Sequence, residues 1–204
     1  CRDFDTVWAM TPAPTEIHVA PGTYYVTPSK RVYTLDRAVK LIGDNPDTVK
    51  FFCTEGQSNK AIFTLNHEDA LLAGVRLEVT NSSYCDAVPA GLDIVSGVAS
   101  NILVSGCGSH YVGAVRLCGP NARFVDSRVT HCKSWAGSVA VLYITEGVAD
   151  RVTLTNNVEH YSGVYETALR LTGANAICRN SFIARNSGGG TRGLMPAVRV
   201  TKGV

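Results

Sequence analysis

Charge is scarce in this chain. Acidic and basic residues make up 18% of 204 positions, and the formal net charge is +2. Lys and Arg are scattered along the sequence. Nucleic acid is therefore excluded as the default partner, because phosphate recognition needs a basic stripe or patch. Long apolar runs are missing too: none reaches the length that spans a bilayer as a helix, and no secretory signal is visible. The cysteines form no C-x-x-C pair, and no histidine stands at zinc-finger spacing, which argues against a metal knot. The glycine run Gly188–Gly189–Gly190 is not followed by Lys-Ser/Thr, so it is no phosphate loop. A corner that needs positive φ explains it more simply. After about the first forty residues there is no amphipathic helical pattern.

What remains is a folded, water-soluble balance with 45% apolar residues, enough for one domain with its own core. The seven cysteines are Cys1, Cys53, Cys85, Cys107, Cys118, Cys132 and Cys178. Most sit in apolar stretches such as 115-VRLCG-119 and 176-AICRN-180, which predicts buried thiols. An odd count leaves at least one unpaired. A single disulfide of an exported protein and a lipid-bearing Cys1 stay open as alternatives. Asn81-Ser82-Ser83 is a glycosylation acceptor only in a eukaryotic secretory setting.

The chain repeats itself. The stretches 38-AVKLIGD, 61-AIFTLN, 91-GLDIVSG, 114-AVRLCGP, 140-AVLYITEG, 168-ALRLTGA and 197-AVRVTKG each begin small, continue apolar–any–apolar, and mostly end at Gly or Asn. Their starts lie 23 to 30 residues apart, within the range of solenoid repeats. A second β-like run follows in most copies, as in 101-NILVSGC and 151-RVTLTNNVEHY. Aligned on the small residue, Val39, Ile62, Leu92, Val115, Val141, Leu169 and Val198 form one inward column. Leu41, Thr64, Ile94, Leu117, Tyr143, Leu171 and Val200 form the next. Lys40, Phe63, Asp93, Arg116, Leu142, Arg170 and Arg199 then point outward, because side chains alternate across a strand. Ser127, Asn156 and Asn180 align at a bend and predict a stacked ladder of polar turn residues.

These features predict an all-β solenoid of stacked β-strands, in about seven coils of 23–30 residues. Residues 1–14 are expected to be a lead-in or cap and 15–204 the β-helix. The final strand, 197-AVRVTKGV-204, leaves an open β-edge. Further coils or a partner chain are expected at that end.

The opening 17-IHVAPGTYYV-26 followed by 39-VKLIGDNPDTVKF-51, and the later Asn180, Phe182 and 185-RNSGGG-190, resemble the pectin-lyase-like superfamily, in the style of bacterial secreted or surface β-helix proteins. That resemblance implies a right-handed parallel β-helix (solenoid) and an extracellular or cell-surface location. It does not fix function, since the same coil carries lyases, hydrolases, epimerases, adhesins and phage tailspikes. The N-T-D, D-D, G-H-G and R-I-K set of polygalacturonases is absent, as is the D-P-H-E motif of alginate epimerases. So is the paired Asp with flanking Gln of pectin esterases. Asp93, Asp126 and Asp150 stand at different repeat positions, so no calcium cluster of the pectate-lyase kind is evident.

Extra residues collect before successive repeat starts, at 80–90, 133–139, 160–167 and 186–196, and should project from one edge. That edge would carry Tyr84, Tyr111, Trp135, Tyr161 and Tyr165 beside the strand residues Arg116, Arg170 and Arg199. Aromatic faces stack on sugars and arginines fork onto carboxylates, so the ligand-binding set is Arg116, Trp135, Tyr161, Tyr165, Arg170 and Arg199. The expected partner is a polysaccharide or cell-surface glycan, with no cofactor and no metal. The expected role is a non-catalytic carbohydrate-binding, adhesin-like or spacer module. The alternatives are a lyase or hydrolase on acidic glycans, with His160 or Tyr165 as base and Arg170 as carboxylate neutraliser beside Glu166, and a viral or phage fibre segment.

Overall fold

The computed structural model describes residues 4–8, 14–26, 33–53, 61–80, 89–109, 112–134, 141–159, 168–188 and 198–201. The described chain winds into a parallel β-solenoid of about five turns. Of the seven sequence repeats, 38-AVKLIGD does not begin a coil of its own: Lys40 pairs with Leu71 in the middle of the next coil, not with its start. Val198–Val200 pairs with Leu169–Leu171 as the last described strand.

Three parallel sheets make up the solenoid among the described residues. The ten-stranded sheet contains the long strands Phe63–Ala73, Leu92–Ser100, Val115–Val125 and Leu142–Asp150, each broken midway by a register shift. The shift bends each strand into two arms. At two of these bends Gly97 and Gly147 adopt φ near +100°, and a Cβ at Gly97 would lie 2.6 Å from the His67 carbonyl oxygen. No side chain fits there without backbone movement. A seven-stranded sheet, from Gly22–Val26 to Phe182–Ala184, forms the next wall. A four-stranded sheet of two-residue strands, from Gly108–Ser109 to Ser187–Gly188, closes the coil. Gly188 is thus a strand residue facing Glu159 in the ladder, not part of a corner.

Alternation fills the interior. Phe63, Leu92, Val115, Leu142 and Leu169 stack in one inward column, and Leu65, Ile94, Leu117, Ile144 and Leu171 in the next. Each side chain so buried contributes about 1.5–3 kcal/mol relative to exposure. Two sequence assignments are corrected here. Phe63 and Leu142 face inward and are fully buried, whereas Thr64 and Tyr143 face outward. The small-residue frame is one position early in those two coils. Val7 and Trp8 of the short helix Phe4–Trp8 pack against the first coils, where Trp8 meets Tyr33 edge-on at 5.9 Å.

Two corners use the left-handed conformation in coil after coil. Asn101, Asp126, Arg151 and Asn180 occupy the first, and His131, Asn156 and Arg185 the second. Ser127, Asn156 and Asn180 therefore belong to three different columns rather than one ladder. The ladders that exist are separate. Ser127 and Ser181 accept the backbone N–H of Ile102 and Val152 from the coil before, at 3.0 and 3.1 Å. Asn157 and Asn186 form the other, one residue past the second corner. Ahead of them in that column stand the buried Cys107 and Cys132. Cys53 is buried as well, Cys118 and Cys178 are half-buried, and all five are free thiols, as the apolar surroundings predict. Cys1 and Cys85 lie outside the described residues.

The first corner carries an ion-pair chain. Arg151 forks onto Asp126 at 2.6 and 2.8 Å, and Arg179 and Asn180 bond Asp150 at 3.0 and 2.9 Å. The Arg151 hydrogen bonds hold the Asp126 carboxyl below its usual range, and Asn180, then Arg179, do so for Asp150. A carboxyl whose folded pKa is depressed contributes stability above its unfolded pKa, about 4. That contribution is lost as pH falls through the folded value. The melting temperature is accordingly expected to drop between pH 5 and pH 2, and to drop less in Asp126→Asn. An equally steep fall in that variant would show that the corner carries none of the acid sensitivity.

Candidate functional site

Strand register decides which outward side chains meet. Thr34, Thr64, Asp93, Arg116, Tyr143, Arg170 and Arg199 pair in sequence across adjacent strands and form one outward row. Neighbouring members are separated by one strand spacing, about 4.8 Å. The three predicted arginines are therefore brought together on one face. Trp135, His160, Tyr161, Tyr165 and Glu166 lie outside the described residues, as do Tyr84 and Tyr111. In the chain, the segments 133–139, 160–167 and 186–196 each join the four-stranded sheet to the next strand of the ten-stranded sheet. All three are thus attached at the same corner of the coil.

The row is graded from one end to the other. Arg116 forks onto Asp93 with Nε to Oδ1 at 2.8 Å and Nη2 to Oδ2 at 2.6 Å, and it covers Asp93 almost completely. Asp93 raises the Arg116 pKa further above its ordinary value. The pair is electrically closed. Cys118 adjoins it, 3.9 Å from Asp93 Oδ1; burial, then the Asp93 charge, pushes its thiol up and keeps it protonated at neutral pH. Further along, Arg170 lies over the Tyr143 ring at 5.8 Å, within cation–π range, and Thr172 Oγ1 donates to the Tyr143 hydroxyl at 3.3 Å. Arg199 follows in the next register. With one carboxylate and three guanidiniums, the row carries a net charge of +2 among the described residues, displaced toward Tyr143, Arg170 and Arg199.

Tyr143 is the functional candidate that the sequence frame misplaced. Its hydroxyl was the available signal, since a buried phenol must find a hydrogen-bond partner and an outward one need not. Among the described residues no group of three or more His, Cys, Asp and Glu is placed to hold a metal. Asp126 and Asp150 do approach one another, but Arg151 lies between them, with Nη1 3.4 Å from Asp150. No helix of the described residues is long and apolar enough to cross a membrane.

Compared with protein-family models, curated proteins and solved structures, the chain matches none.

Proposed function

We propose that this chain is a non-catalytic, carbohydrate-binding module of an exported or surface protein, a β-solenoid of the pectin-lyase-like kind. Its outward row holds an acidic polysaccharide along the solenoid axis. The observation that carries the reading is the register: Tyr143, Arg170 and Arg199 stand on consecutive strands of one face. Two guanidiniums at about 5 Å steps, the first of them lying over the Tyr143 ring, place a line of positive charge along the axis that suits a linear polyanion. The non-catalytic part rests on Asp93, the carboxylate of the row, whose two oxygens are both committed to Arg116. A base with both oxygens so occupied abstracts protons poorly.

A glycan array, together with a screen on acidic polysaccharides that follows absorbance of the unsaturated product, tests the reading. Expected are retention of uronate-rich glycans, weaker retention at high salt, and no absorbance change. Turnover would overturn the non-catalytic reading in favour of a lyase. Retention of neutral and acidic glycans alike would remove the role of the arginine row.

A further inference from the structure

One residue past the second corner, the column of buried side chains begins with two cysteines. Lys133 N–H donates to the Cys107 carbonyl at 2.9 Å, and Gly108 pairs with Lys133 in the ladder. Cys107 and Cys132 are therefore partners on successive coils, one strand spacing apart, about 4.8 Å. Both side chains are fully buried and both thiols are free. The two thiols are in hydrogen-bond contact with each other. Cys53 stands apart from them. It pairs with Val79, which belongs to the coil before Cys107, so Cys53 lies two strand spacings away, about 9.6 Å.

The same column shows what the two thiols replace. In the next two coils Asn157 and Asn186 stand there, and each amide ties down the backbone of the coil before. Asn157 Oδ1 accepts the Cys132 N–H at 2.9 Å, and Asn186 Oδ1 accepts the Asn157 N–H at 3.0 Å. Cys132 offers only long sulfur contacts, 3.8 Å to the Val104 carbonyl oxygen and 3.5 Å to that of Thr130. A thiol is a weak donor and a weak acceptor. The strands that follow, Gly108–Ser109 and Lys133–Ser134, are two residues each. At this corner the coils of Cys107 and Cys132 are thus held together less firmly than the coils after them. Disulfides span Cα separations of about 4.4–6.8 Å, a range that includes the ladder spacing.

We propose that Cys107 and Cys132 are a redox pair whose disulfide staples these two coils when the chain folds in an oxidising compartment. The oxidant is a small-molecule or protein disulfide. The thiolate of one cysteine attacks a sulfur of the oxidant, forms a mixed disulfide and releases one thiol. The thiolate of the other cysteine then displaces the second. One S–S bond forms in the protein, the S–S bond of the oxidant is reduced to two thiols, and the two protons of the cysteines end on those thiols. Contact with Cys132, then burial, pushes the Cys107 thiol well above its ordinary range. The thiolate is the nucleophile, so the folded, reduced pair exchanges slowly and closure belongs to folding. The inference does not depend on glycan binding by the arginine row.

Refolding from urea in a mixture of reduced and oxidised glutathione tests it. The Cys85→Ser chain is used, because its tryptic peptide 77–116 then carries Cys107 as its single cysteine. After free thiols are blocked with N-ethylmaleimide, mass spectrometry is expected to find that peptide linked to peptide 129–133, which carries Cys132. The melting temperature should lie about 4 °C or more above that of the same chain refolded in dithiothreitol. With Cys107→Ser added, the two refolding buffers should give equal melting temperatures. Circular dichroism checks the fold of each sample. Folded protein without the linked peptide, or with Cys107 joined to Cys53 or Cys118 instead, would overturn the proposal. So would a melting temperature no higher after oxidative refolding. None of these outcomes bears on whether the protein retains polyuronate through Arg170 and Arg199.

Discussion

Replacing Phe51 by alanine is expected to destabilise the protein by about 3–5 kcal/mol, the range for a large aromatic removed from a packed core. For a chain of this size that corresponds to about 6–20 °C in melting temperature. Phe51 has no exposed surface and sits at the centre of a file of rings. Tyr24 stacks on it at 5.4 Å, and Phe63 meets it edge-on at 4.9 Å. The file continues through Tyr33 to Trp8. These rings join the first coils to the N-terminal helix, and a solenoid depends on the interfaces between neighbouring coils. Phe52, the next residue, is the internal control. It faces outward against Tyr25 and Lys50, and Phe52→Ala should cost under about 1 kcal/mol. Thermal denaturation of both variants checks the prediction. A larger loss at Phe52 than at Phe51 would place the strand one residue out of register.

Asn157→Ala is expected to cost about 3 kcal/mol, again by thermal or denaturant melting. The residue is completely buried. Its Oδ1 accepts the Cys132 N–H at 2.9 Å, and its Nδ2 donates to the Val129 carbonyl at 3.0 Å and to Asn186 Oδ1 at 2.9 Å. Asn186 repeats the pattern, donating to the Leu154 carbonyl at 2.9 Å. Removing the amide leaves one buried N–H and one buried C=O without partners, each costing about 1–3 kcal/mol. Asn157→Leu separates the causes, because it keeps the volume and removes the hydrogen bonds. Both variants should lose similar stability. Recovery in the leucine variant would assign the effect to packing instead.

The stacked parallel fold was legible because the inward positions alternate and recur, as in 92-LDI-94, 115-VRL-117 and 169-LRL-171. The frame failed in two coils for a physical reason. Ile62 and Phe63 are both buried, as are Val141 and Leu142, since the corner before the strand also faces the core. Two consecutive buried residues erase the alternation that fixes the register. The count of coils failed at 38-AVKLIGD because the bent strands carry a second inward arm that reads like the first. Arg116, Arg170 and Arg199 were legible as one row because all three sit centrally in the repeat. Tyr143 was not, being hidden by the one-residue slip. The hydrogen bond from Arg76 Nε to Ser105 Oγ at 3.2 Å was out of reach as well, since the two residues come from successive coils and only the pairing of Arg76 with Leu103 and of Glu78 with Ser105 brings them together. Asn157 was hidden because its column changes midway from Cys107 and Cys132 to Asn157 and Asn186, so no single residue type marks it.

The central claim is that the arginines of one outward row bind an acidic glycan. Titration of a defined oligogalacturonate into wild-type protein and into Arg170→Ala/Arg199→Ala tests it most directly. Each charge-assisted contact is worth about 1.5–3 kcal/mol, so the double variant should bind about a hundredfold more weakly or worse. Both proteins should keep the same circular dichroism spectrum, so that a loss of binding is not a loss of fold. Equal affinity in the two proteins, both folded, would contradict the claim.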